Sequence, residues 1–124
     1  MKLSLDQQSA YAYTGGRAHR PDEPAIVFVH GALHDHSVWI LQSRYLAHHG
    51  YRVLAVDLPG HGRSAGAPLT SIGAMANWVL DAMTVAGIER ASIVGHSMGS
   101  LIAAASAALA PERIAGIALV GTAM

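Results

Sequence analysis

Cysteine is absent from the 124 residues, which excludes a disulfide framework, a thiolate metal site and a cysteine nucleophile. Charge is scarce: charged residues make up 13% of the chain against 52% apolar, about half the usual charged share. The few charges balance, with Lys+Arg 8 against Asp+Glu 8. The basic residues are scattered, so the electrostatic footprint of a nucleic-acid or membrane-surface binder is missing. A long hydrophobic run is missing too. The longest, Leu101 to Ala110, is about half a membrane span and meets Pro111-Glu112-Arg113. The start, MKLSLDQQSAYAY, has no apolar core of signal-peptide length; export by that route is not expected, and the cytoplasm is the expected compartment.

What is present suits one domain with a modest core, and low charge fits strands covered on both faces. Residues 1–24 read as an N-terminal piece: one or two edge strands within Lys2 to Thr14, a turn at Gly15-Gly16, and a polar loop to Pro24. From Ala25 the pattern changes. Ala25-Ile26-Val27-Phe28-Val29 is a short β-branched run, as in a doubly covered strand. Ser37 is placed to cap a helix over Val38 to His49, with Gly50 as its stop. Arg52 to Val56 reads as strand. A helix follows, capped by Thr70 or Ser71, with Ile72, Met75, Val79 and Met83 at helical spacing and Gly87 as stop. Ala91 to Val94 is strand, Met98 to Ala110 helix, and Ala115 to Val120 strand. This alternation over residues 25–124 predicts an α/β fold: a mainly parallel sheet with helices on both faces. Chemistry in such sheets gathers at the carboxyl ends of the strands. His30-Gly31-Ala32, Asp57 to Ser64 and Gly95 to Gly99 all follow strands, so they are expected at one rim.

Gly95-His96-Ser97-Met98-Gly99 lies in a strand-to-helix turn. A serine there projects its hydroxyl above the sheet, and the flanking Gly95 and Gly99 leave room where side chains would collide. The N-terminus of the following helix favours developing negative charge. Read with VFVHGALHDHSVW and VLAVDLPGHGRS, the chain resembles the α/β-hydrolase superfamily from Ala25 to Met124. The resemblance implies Ser97 as nucleophile and an oxyanion hole from the backbone N–H groups of Ala32 and Met98. It makes Gly31 the residue that lets the loop place Ala32, and His30 an orienting residue. It implies a small acyl substrate, such as a carboxylic ester, and no cofactor. A serine at the elbow argues against dehalogenase or epoxide-hydrolase chemistry. Carbon–carbon bond hydrolysis, or a scaffold kept only for binding, stays open.

The histidines raise a metal alternative, since His30, His34, Asp35 and His36 crowd one loop. The offsets of a metallo-hydrolase loop hold Gly31 and Leu33 instead, so no metal site is assigned. His19, His48, His49 and His96 read as loop, helix-end and packing residues, and Arg63 as reaching nearby carboxylates or carbonyls. Asp57 precedes the serine, whereas the family order places the acid after it.

After Ser97 the sequence holds one acid, Glu112, and no histidine. Glu112 precedes the last strand and so belongs at the rim opposite the serine. The base and acid are therefore expected outside these residues, in a C-terminal part or a second chain. Residues 1–124 alone are expected to be inactive or nearly so, with the last strand an open edge.

Overall fold

A computed structural model describes residues 1–121. The chain opens with an antiparallel pair, β1 (Lys2–Leu5) and β2 (Gln8–Tyr13), reversed by Asp6 and Gln7 at positive φ. Next come β3 (Ala25–Val29), a 3₁₀ turn (His36–Trp39) running into helix α1 (Ile40–Ala47), and β4 (Arg52–Val56). Helix α2 (Ile72–Val85), β5 (Ala91–His96), helix α3 (Met98–Leu109), a short 3₁₀ turn (Pro111–Arg113) and β6 (Ile114–Val120) follow.

The six strands form one sheet in the order β1-β2-β4-β3-β5-β6. β4, β3, β5 and β6 run parallel, while β2 joins β4 antiparallel through Ala12 and Tyr13. The α/β class expected from the alternation is the one observed, and residues 1–24 extend the same sheet. Strand periodicity divides the core. Val27, Leu54, Val56, Ile93 and their neighbours pack against α2 and α3, whereas Phe28, Val53 and Ala55 pack against Trp39 and Ala47.

The largest departure from the sequence reading lies after β3. Ser37 does not cap a helix at Val38. Asp35 does the capping, accepting from the Ser37 backbone N–H at 2.8 Å, and the first turn is 3₁₀ before α1 begins at Ile40. Both residues are good caps, and Asp57 holds the His36 N–H and ring, so the turn begins after Asp35 and not after Ser37. α2 does start at Ser71, whose hydroxyl accepts from the Ala74 N–H at 3.0 Å. β5 runs two residues further than expected, to His96, which brings the strand end against Ser97.

Candidate active site

Ser97 sits between the end of β5 and the first residue of α3, with φ 55° and ψ −118°. This is strained for a residue with a Cβ, so the surroundings must hold it. A Cβ on Gly95 would lie 2.1 Å from the Gly99 carbonyl oxygen, and one on Gly99 would lie 2.2 Å from the Val29 oxygen. Neither position admits a side chain, and α3 thereby packs directly on β3 and β5. Ser97 is clamped at its backbone as well. Its N–H donates to the Val120 oxygen at 3.0 Å. Its carbonyl accepts from the Ser100 N–H at 2.9 Å and from the Ser100 hydroxyl at 2.5 Å.

The loop after β3 lies against this turn. A Cβ on Gly31 would be 3.3 Å from Ser97 Cβ and 3.4 Å from the His96 oxygen. Ala32 is exposed and Met98 half-buried. Neither backbone N–H donates to another described residue, so both are free for a ligand. His30 is fully buried beneath them. Its Nε2 accepts from the Leu58 N–H at 3.1 Å, which leaves the proton on Nδ1 to be donated to the Gly31 oxygen at 2.7 Å. The ring thus ties the loop after β3 to the loop after β4. Burial holds its pKa below the ordinary imidazole value, outweighing the Gly31 hydrogen bond.

Asp57, at the carboxyl end of β4, is also fully buried. Its Oδ1 accepts from the His36 N–H at 2.7 Å and from His36 Nδ1 at 2.9 Å, and its Oδ2 from the Arg63 N–H at 2.9 Å. Ser64 closes the loop by donating to the Asp57 carbonyl at 2.6 Å while accepting from the Tyr11 N–H. The carboxylate is a clasp between two loops. Ligand atoms of Asp35, His36 and Asp57 lie within 4.8 Å of one another. The two carboxylates already accept hydrogen bonds, Asp57 from His36 and Arg63 and Asp35 from Ser37, which hold the Asp35 pKa low.

Several single-residue expectations need correction. The Arg63 guanidinium reaches no carboxylate among the described residues; it stacks over Tyr11 at 4.9 Å from the ring centroid, and only its backbone N–H reaches Asp57. His19 is not idle in its loop, because its Nε2 meets the Val53 oxygen at 2.8 Å. His96, by contrast, packs as expected, edge-on to Trp39 with ring centroids 6.3 Å apart. The sequence reading missed His34, whose ring stacks on His96 beside the serine. It also missed the pairing of His36 with Asp57. Neither has a spacing signal, since each joins two loops that meet only in the folded sheet.

Glu112 lies at the far end of the molecule. It stands just before Ile114, which pairs with Ala91 at the amino end of β5, whereas Ser97 follows the carboxyl end. Glu112 lines a cavity of about 690 Å³ there, with Thr84, Arg90 and Arg113. No helix among the described residues is long and apolar enough to cross a membrane.

Known proteins are similar to this chain. The family described as alpha/beta hydrolase fold matches residues 24–124. The dihydrolipoyllysine-residue acetyltransferase component of the acetoin cleaving system of Cupriavidus necator is 42% identical over 114 residues, covering 89% of this chain and 28% of the relative. A pimeloyl-[acyl-carrier protein] methyl ester esterase of Pectobacterium carotovorum is 42% identical over 89 residues, covering 72% of this chain and 33% of the relative. Among solved structures, a bacterial membrane phospholipase A superposes with a TM-score of 0.90 at 30% identity, covering 99% of this chain and 39% of the other. The chain therefore spans about a third of the length of these three proteins. The family match over residues 24–124 and the mainly parallel sheet lead to one conclusion: the chain belongs to the alpha/beta hydrolase fold family.

Proposed function

We propose that this chain carries the nucleophile and oxyanion-binding half of a serine hydrolase that acts on a carboxylic ester or related acyl substrate. The observation that carries the reading is the strained backbone of Ser97 (φ 55°), which Gly95 and Gly99 make possible. The Ser97 hydroxyl attacks the substrate carbonyl. The N–H groups of Ala32 and Met98 receive the oxyanion, each such donor being worth about 3 kcal/mol of barrier. His30 and Gly31 hold the first donor in place through the hydrogen bonds of the His30 ring. Collapse of the tetrahedral species expels the alcohol and leaves an acyl-serine, which water then hydrolyses. The proton leaving Ser97 goes to a histidine outside residues 1–124, held by an acid also outside them, since no histidine follows Ser97. An esterase among the relatives supports acyl chemistry.

The test is a fluorophosphonate probe applied to the longest native form of the protein. Covalent labelling at Ser97 is the expected outcome, and Ser97→Ala should abolish it. A protein that folds yet stays unlabelled would instead be a scaffold kept for binding.

A further inference from the structure

Two imidazoles flank Ser97, and the steps above use neither. His34 projects from the loop after β3, and His96 ends β5. Their rings stack with centroids 6.0 Å apart and planes 28° from parallel. His34 Nδ1 and Ser97 Cβ lie 3.5 and 3.3 Å from the same point, the position a Gly31 Cβ would take. The two groups therefore meet beside Gly31, where a larger side chain would come into contact with both. His34 is exposed at the rim, so a ligand reaches it without displacing protein. The His96 Nδ1 atom is shielded from solvent and has no hydrogen-bond partner among the described residues.

The charges nearby are committed elsewhere. Asp35 turns its carboxylate onto the Ser37 N–H, and the Asp57 oxygens take His36 and Arg63. No free carboxylate thus competes for the His34 ring. The N-terminus of α3 adds the positive end of a helix dipole on the same side. Ring N–H donors together with that field select an oxygen anion over an alkyl group.

We propose that His34, backed by His96, forms a carboxylate subsite beside Ser97. The preferred acyl group would then carry a second, free carboxylate a few atoms from the scissile carbonyl. His34 is a specificity-determining residue in this proposal, which rests on the serine-hydrolase reading.

The test compares two esters of matched shape on the longest native form of the protein: mono-4-nitrophenyl succinate and 4-nitrophenyl butyrate, in which a methyl replaces the carboxylate. His34→Ala should lower the succinate-to-butyrate ratio of kcat/KM about ten-fold, the loss of one charge-assisted hydrogen bond. His34→Gln keeps an N–H donor and should recover most of that ratio. Equal losses on both esters in His34→Ala would overturn the subsite and leave the hydrolase reading standing. Where neither ester turns over, the contrast is read from probe labelling. Free succinate should slow labelling of Ser97 in the wild type more than in His34→Ala, and equal protection, or none, overturns the subsite. A wild type that is neither active nor labelled removes the hydrolase reading and the subsite with it.

Discussion

At the scale of single residues, Ser97 and His30 illustrate two ways of holding an unfavourable state. Ser97 keeps a backbone conformation that costs about 1–3 kcal/mol for a non-glycine residue. The contacts over-determine it: the β6 end through Val120, the α3 start through Ser100, and two glycines that let the helix close in. His30 keeps a neutral ring in a fully buried site because both ring nitrogens are matched to backbone partners. Its folded pKa is depressed by burial, so just below the ordinary imidazole value the unfolded chain binds a proton that the folded chain refuses. Stability is then complete above that value and erodes as pH falls through it toward the depressed folded value. We expect the urea midpoint to fall between pH about 7.5 and 5, and His30→Asn, though less stable throughout, to show a shallower fall. An unchanged slope in the variant would assign the pH dependence to other histidines.

Elements show where sequence reading succeeds and where it stops. β3, β4 and α2 were legible from start to finish because periodicity and stop signals agreed. Ser71 caps as expected, and Gly87 at φ 76° supplies the left-handed residue just past the end of α2. Ser71→Ala should cost about 1 kcal/mol, measured as a lower urea midpoint with an unchanged slope; no change would mean that water replaces the cap. The segment after β3 was not legible in the same way. Asp35 and Ser37 are both good caps, and the deciding factor is tertiary. Asp57 pulls the His36 N–H and ring toward β4, which fixes the turn two residues earlier than Ser37 would. The same blindness covers His34. Its loop could be assigned to the rim, but its partner ring comes from β5, and no interval in the sequence encodes that meeting.

Across the whole molecule, the helices divide unevenly over the sheet. α2 and α3 cover one face, whereas α1 and the 3₁₀ turn before it centre on β3 and β4 on the other, with Tyr13 and Val94 at the margin of that cluster. β6 takes the consequence. Only Ile114 of its seven residues is buried, and Ile117, Leu119 and Val120 are 42%, 45% and 45% exposed. It pairs with β5 on one side and with no described strand on the other. Its sequence, IAGIALV, has no charge and no proline, two of the devices that blunt a sheet edge. A formal net charge of +0 gives no long-range repulsion to keep copies apart. Residues 1–124 expressed alone should therefore self-associate, with apparent mass rising with concentration in sedimentation. Ile117→Lys and Leu119→Lys both place a charge on the face shared with Ile93 and Gly95. Either should shift the population toward monomer if β6 is the contact. Association that is indifferent to both substitutions would move the sticky surface elsewhere, to the exposed Leu41 and Tyr45 on α1. The same segment should stay unlabelled by the fluorophosphonate probe even when monomeric, because a serine without a base remains protonated near neutral pH. Labelling of Ser97 in that monomer would mean that a histidine within residues 1–124 serves as the base, and His34, which meets it beside Gly31, would be the first to replace.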